Sequence, residues 1–354
     1  MFYRENGQFK DSYKADQQIL PIRQDRIFML LLLVFAYAVV PLLASEYLLR
    51  AILVPFLILS LAAIGLNLLV GYCGQISLGH GAFMAVGAYA AYNLAVRLPD
   101  LNFIIVLILA GLAAALSGIL FGIPSLRIKG LYLAVATLAA QFFADWTFAR
   151  VKWFTNYSSS GSVSTATVSL FGWDIESPSD KYLFLLTVVA VMALLAKNIV
   201  RGHIGRGWMA MRDMDVAAEV IGIRPVQAKL SAFAVSAFYV GVAGALWGFL
   251  HLGSWEPAAF SITLSLNLLF MIIIGGMGSI LGSFFGAFFI TILPLVLTQM
   301  PGLLGVPLST ETTSHMEAMI FGALIVFFLI AEPHGLARLW AIGKEKLRVW
   351  PFPH

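Results

Sequence analysis

The chain has 354 residues, of which 60% are hydrophobic and 11% charged, with a mean hydropathy of +0.90 and a formal net charge of +4. A soluble domain carries about 25% charged residues, so the composition excludes a soluble two-domain protein and points to one bundle buried in lipid. The single cysteine, Cys73, excludes a disulfide framework within the chain and reads as a small packing residue beside Gly74.

Residues 1–26 form a polar leader. A bilayer asks for about 20 apolar residues per crossing helix. On that measure ten spans are expected, near 27–45, 51–70, 76–96, 102–123, 131–149, 182–199, 231–252, 262–277, 280–300 and 316–331. Each must satisfy its own backbone in lipid, so each is expected to be a helix, or a broken helix shielded by protein. The first span is read as retained, because Leu42-Leu43-Ala44 is a poor small-x-small cleavage site. The expected organisation is an N-terminal leader at 1–26, a transmembrane region at 27–331 interrupted by a cytoplasmic loop at 200–230, and a C-terminal tail at 332–354.

Within the second and third spans lies a glycine-rich break, GLNLLVGYCGQISLGHGAFMAVGAYA, at 65–90. It carries Asn67, Gln75, Ser77 and His80, which are costly in lipid unless they face protein or water. Two readings stand. One is a tight turn between packed helices, with the polar groups satisfied by neighbours. The other is a discontinuous helix lining a permeation path. In the fifth span Gln141 sits one turn from Asp145, which reads as an interfacial carboxylate near the outer end. The tetrapeptide Leu66-Asn67-Leu68-Leu69 recurs as Leu266-Asn267-Leu268-Leu269, again ahead of a glycine-spaced segment. With ten spans both copies run inward from the outer side, which favours a parallel relation or a coincidence over an inverted repeat.

The loop at 200–230 contains GRGWMAMRDMDVAAEVIGIRP. From Arg206 to Val220 it has no proline and one interior glycine, Gly207, so one helix is expected. Trp208, Met211, Val216 and Val220 would share its apolar face, and Pro225 stops it. Such a segment either lies on headgroups or docks in a partner's groove.

Basic residues set the orientation. With both termini inside, 17 of the 22 Lys and Arg residues are cytoplasmic, leaving Arg50, Arg97, Arg150, Lys152 and Lys181 outside. The outer face is then about −4 and the inner face about +8.

The strings GLNLLVGYCGQISLGHGAFMAVGAYAA, LRIKGLYLAVATLA, GRGWMAMRDMDVAAEVIGI, LLFMIIIGGMGSILGSFFGA and EPHGLARL occur in that order and resemble the permease subunits of branched-chain amino acid ABC importers, of the LivM type. The resemblance covers about residues 27–340. The serine-rich stretch 158–166, with Gly161 as its sole glycine, departs from the pattern.

What the resemblance implies is an all-α integral membrane protein of about ten transmembrane helices, with a Gly-rich discontinuous helix region and a cytoplasmic coupling helix. That helix, with Arg212, Asp213, Asp215, Ala217, Ala218, Glu219 and Gly222, would receive the stroke of separate ABC ATPase subunits. A homologous permease would complete the translocation path, and a periplasmic binding protein would deliver the small-molecule substrate. The setting implied is the bacterial inner membrane. Asn67, Gln75, Ser77, His80, Gln141 and Asn267 are the candidate path residues. Urea, short amides and other small amino or aromatic acids are alternative substrates.

The sequence has no GxxxxGK[ST] phosphate loop, and its one Gly-Lys pair, Gly343-Lys344, is followed by Glu345. ATP hydrolysis is therefore expected in partner subunits. No HExxH or GxSxG string is present, so no catalytic residue, cofactor, metal or nucleic acid is expected. A secondary transporter or channel is the rival class. The first would need ion-coupling carboxylates within the spans, and none stand out.

Overall fold

The structure is a computed structural model that describes residues 12 and 23–349, except 129, 159, 160, 166, 167, 171, 172, 304–315, 317, 318, 321, 325, 329, 331 and 333. The chain begins with two long helices, α1 (Gln24–Leu43) and α2 (Leu48–Tyr72). Each contains a proline, and each proline follows a π-helical turn: Phe35–Val39 precedes Pro41, and Leu48–Leu53 precedes Pro55. A proline inside a helix removes a backbone donor and crowds the preceding turn. The wider π turn relieves that crowding where the chain must stay helical.

Four helices follow: α3 (His80–Arg97), α4 (Phe103–Gly122), α5 (Leu131–Arg150) and α6 (Pro178–Arg201). Helix α4 starts on Asn102, whose side chain accepts from Ile104 N–H at 3.0 Å. Helix α6 starts on Ser177, whose hydroxyl accepts from Asp180 N–H at 3.1 Å, with Pro178 in its first turn. Two short helices, α7 (His203–Asp213) and α8 (Asp215–Val220), then lead to α9 (Pro225–Leu252), α10 (Ile262–Gly275), α11 (Ile280–Leu303) and α12 (Gly335–Val349).

Among the described residues seven segments are long and apolar enough to cross a membrane: α1, α2, α4, α6, α9, Pro257–Gly275 with α10, and Ile280–Leu297 of α11. Helices α3 and α5 are of similar length but carry His80, Asn93 and Arg97, and Gln141, Asp145 and Arg150. The helices begin and end within a few residues of the expected spans, with three differences. The third starts at His80 rather than 76, because residues 74–79 are not helical. The sixth and seventh run on to Pro178–Arg201 and Pro225–Leu252, their polar ends continuing past the apolar stretch. The expected tenth span, 316–331, and the outer loop before it lie partly outside the described residues, as does most of the leader.

Helix α9 runs through the middle, against α2, α3 and α4. Without a hydrophobic driving force between helices in lipid, close approach of small residues provides the packing. Gly87 of α3 lies against the backbone of Gly241, where any side chain would collide with the carbonyl. Helix α1 is exposed along its length and leans on α6, where the Tyr37 and Thr187 hydroxyls bond at 3.0 Å and Tyr182 donates to Ala36 O at 3.1 Å.

The two ends of the bundle differ. At one, β1 (Val163–Ser164) pairs antiparallel with β4 (Ser254–Trp255), Val163 opposite Trp255, and β2 (Ser169–Leu170) pairs with β3 (Trp173–Asp174), Leu170 opposite Trp173. Arg97 stacks there on Trp153, 3.8 Å from the ring centre. At the other end Lys344 of α12 meets Asp25 of α1 at 3.1 Å, and Arg212 of α7 reaches the end of α2. The beginning of α1, the α7–α8 segment and α12 therefore share one face.

The helix expected from Arg206 to Val220 is two helices. Met214 is extended (φ −155°, ψ 98°) and separates them. The expected common apolar face is split with it: Trp208 and Met211 are buried, while Val216 and Val220 are exposed. The kink re-aims the second helix away from the bundle.

Single cysteines at Asp100 and Val220, in a Cys73→Ala background, are expected on opposite faces of the membrane. In intact cells a membrane-impermeant thiol reagent should label one and spare the other. Labelling of both would contradict the bundle's polarity.

Candidate functional site

Helix α3 starts inside the bundle, so its first N–H groups need partners that its own turns cannot supply. Two neighbouring helices provide them. Thr137 of α5 accepts from Leu78 N–H at 2.9 Å, Gln141 of α5 from Ala82 N–H at 2.6 Å, and Ser265 of α10 from Gly81 N–H at 2.7 Å. Gln141 also accepts from the Ser265 hydroxyl at 3.0 Å and donates to Phe260 O at 2.8 Å and to Asp145 at 3.0 Å. Each polar atom of this buried amide is used.

His80 is buried completely and both ring nitrogens are engaged. Ser236 of α9 donates to Gly65 O at 2.6 Å, so it accepts from His80 Nε2–H at 2.8 Å. Nδ1 then accepts from Ser77 at 2.9 Å. His80 thus ties α3 to α2 and α9. Nothing in this arrangement leaves a nitrogen free to carry a proton along a path.

The second knot joins the ends of α2 and α10. Asn67 is 1% exposed, and its amide donates to Ser279 O at 2.8 Å and Ser283 Oγ at 2.9 Å, with a longer contact to Gly276 O at 3.4 Å. Its carbonyl accepts from Gly278 N–H at 2.8 Å. One side chain on α2 therefore holds the whole turn between α10 and α11. That turn has φ of 122° at Gly276 and 77° at Gly278, a conformation that favours glycine. Gly71 packs directly on Gly278 N and the Asn67 carbonyl, and a Cβ there would overlap both.

Asn267 plays no matching part. It is half-buried in the middle of α10 and makes no hydrogen bond among the described residues. The helices that carry the two LNLL strings run toward the same end of the bundle, but their asparagines are not equivalent: Asn67 lies level with Gly276–Ser283, past Asn267. Gln75 is half-buried and donates only to Cys73 O, at 3.4 Å.

Arg212 connects the α7–α8 segment to this knot. Its guanidinium donates to Gly71 O at 2.9 Å and pairs with Asp213 at 2.8 Å. A cation on the last carbonyls of a helix is favoured by the helix dipole, and the bond is charge-assisted. The α7 side is anchored by Trp208, fully buried, whose indole donates to Ser231 of α9 at 3.0 Å. The α8 side projects. Asp213, Ala217 and Glu219 are exposed, Asp215 is half-buried, and Ala218 alone faces inward. Met214, Val216, Val220 and Ile221 are each at least 70% exposed. Gly222 closes the helix at φ 92°, with Ile223 N–H on Ala218 O at 3.0 Å.

Sequence reasoning singled out Asn67, Ser77, His80 and Gln141 but not the residues that satisfy them. Thr137, Ser236, Ser265 and Ser283 are small hydroxyls in apolar helices, and that is the only signal they give. The bond from Arg212 to Gly71 spans 141 positions and leaves no local trace.

A family model described as branched-chain amino acid transport system / permease component matches residues 48–329. The chain belongs to this family. It is 30% identical over 300 residues to the Escherichia coli (strain K12) high-affinity branched-chain amino acid transport system permease protein LivM. It is 31% identical to the protein of the same name from Salmonella typhimurium (strain LT2). Each alignment takes in 77% of this chain and 66% of the relative, so the chain spans just under two thirds of their length. A probable branched-chain amino acid transport permease protein LivM from Methanocaldococcus jannaschii is 20% identical over 329 residues, 82% of this chain and 93% of that protein. No solved structure gives a significant match. Family membership and the apolar helices make this a multi-pass membrane protein of that permease family.

Asn67→Ala should orphan Gly278 N–H and two further partners, costing about 2–3 kcal/mol at the usual 1–3 kcal/mol per buried group left unpaired. Asn267→Ala should cost about 0.5 kcal/mol or less, as an unengaged position. Thermal unfolding in detergent checks the order. Equal melting temperatures would remove Asn67 from its role in the knot.

Proposed function

We propose that this chain is one permease subunit of an ABC importer for branched-chain amino acids, in a bacterial inner membrane, with ten spans and both termini cytoplasmic. A homologous permease completes the translocation path. Separate ATPase subunits act from the cytoplasm, and a periplasmic binding protein feeds the outer face, net about −4. The observation that carries the reading is the α7–α8 segment: an exposed helix on one side of a kink, and a buried anchor with a direct bond to α2 on the other.

In this reading α8 docks in a groove of the ATPase. Met214, Val216, Val220 and Ile221 supply its apolar contact, and Asp215 and Glu219 its charge. ATP-driven closure moves α8, and Arg212 passes the displacement to Gly71 at the end of α2. Asn67 couples that end to the Gly276–Ser279 turn, so two helices respond together. Among the candidate path residues, Gln75 and Asn267 have side chains with spare hydrogen-bonding capacity and are assigned to the substrate path. Asn67, Ser77, His80 and Gln141 border it as struts that fix its shape.

Glu219→Arg should abolish uptake by inverting the charge of the docking helix. Gly222→Pro should do the same, because proline is fixed near φ −65° and cannot take the φ of 92° found there. Both variants should insert at normal levels, since nothing in the bundle packs on these positions. Radiolabelled leucine uptake per inserted molecule is the measurement. Normal uptake in both would remove α8 from coupling.

A further inference from the structure

At the end of the bundle opposite Arg212, a cavity of ≈ 380 Å³ lies between the starts of α2 and α6 and the end of α9. Its lining is divided. Arg50, Lys181 and His251 supply polar and cationic groups, while Ala51, Val54, Pro178 and Leu250 are apolar. Arg50 and Lys181 are two of only five basic residues on what the charge pattern makes the outer face. They lie close enough to repel one another, and the acid that acts on Lys181 is Glu176. The cavity thus brings two cations together on a face that is otherwise net negative.

No ion pair or hydrogen bond of the Arg50 or Lys181 side chain joins it to a described residue, in contrast with Arg97, which is spent on Trp153. The place of the cavity is equally informative. It opens beside the turn from α1 to α2, and α1 is the outermost helix, exposed to its surroundings throughout. Tyr47, one turn before Arg50, is 56% exposed, where an aromatic ring suits the boundary between headgroups and acyl chains. Two cations at that boundary with no ion pair to a described residue, over an apolar floor, match an amphiphile with an anionic head.

We infer that the Arg50–Lys181–His251 cavity binds the phosphate of an anionic phospholipid from the outer leaflet. The two cations hold the phosphate, with His251 beside it. The glycerol backbone lies over Pro178 and Leu250, and the acyl chains run down the surface between α1 and α2. A bound lipid fills the cleft between the starts of α2 and α6 and the end of α9. A free phosphate would satisfy the charges but not the apolar floor.

The test is native mass spectrometry of the full-length chain in detergent, titrated separately with phosphatidylglycerol, phosphatidylcholine and soluble glycerol 3-phosphate. Wild type should retain one phosphatidylglycerol in clear preference to phosphatidylcholine, and should not bind glycerol phosphate at matching concentrations. The Arg50→Gln/Lys181→Gln double variant should lose about tenfold or more of that retention, as two charge contacts to an anionic headgroup are removed. Arg97→Gln, an outer cation away from the cavity, should match wild type. Arg50→Lys/Lys181→Arg should bind nearly normally, which separates charge from folding. Equal retention by wild type and the double Gln variant would overturn the inference. Binding of glycerol phosphate as tight as that of the lipid would overturn the lipid and leave a soluble anion. Unchanged lipid retention together with loss of the paired permease in the double variant would also overturn it, placing a protein carboxylate there instead.

Discussion

A helix interrupted inside a bilayer must give its free backbone groups to protein, because lipid offers no hydrogen bonds. Everything distinctive in this bundle follows from that constraint. Helix α3 begins within the bundle, and its first N–H groups are taken by Thr137, Gln141 and Ser265 from two other helices. The end of α2 leaves the Gly71 carbonyl, and Arg212 takes it. The turn after α10 leaves Gly278 N–H, and Asn67 takes it. Each break is thereby a junction of several helices rather than a local defect. The polar side chains in the spans act as fasteners, and their positions decide which helices move together.

In the proposed reading this arrangement also lets coupling be direct. A rigid plug of apolar helices could transmit a push only through packing. Here the α7–α8 segment grips the bundle twice, through Trp208 on α9 and through Arg212 on α2. The kink at Met214 leaves α8 free to project while α7 stays fixed. The glycines at 71, 74 and 278 keep the arginine close to both helix ends, since a side chain at any of them would press on Arg212 or on the opposite turn. The junction is narrow, charged and exposed on one side, whereas the struts around His80 are buried.

Much of this was legible in the sequence. Apolar runs against bilayer thickness placed the long helices to within a few residues, and the family motifs located the α7–α8 segment and the glycine break. The kink was not legible, because no Pro or Gly marks Met214 and the amphipathic period continues through it. The division of the polar break residues was not legible either. Gln75 and His80 look alike as polar groups in an apolar stretch, yet one has spare capacity and the other has none. Only the partners decide that, and the decisive ones, Ser236 for His80 and Ser283 for Asn67, lie 156 and 216 positions away along the chain. The LNLL repeat shows the same limit: the helices that carry it run in parallel, but Asn67 holds a turn and Asn267 does not.

The central claim is that Arg212 carries the ATPase stroke to the end of α2. The direct measurement is substrate taken up per ATP hydrolysed by the assembled importer in liposomes, with wild type compared with Arg212→Gln. The account predicts that the variant assembles and hydrolyses ATP at a near-normal basal rate, while uptake per ATP falls about tenfold or more, as expected when a charge-assisted bond of about 1.5–3 kcal/mol is lost from the moving junction. An unchanged ratio of uptake to hydrolysis, in a variant shown to be folded, would contradict it.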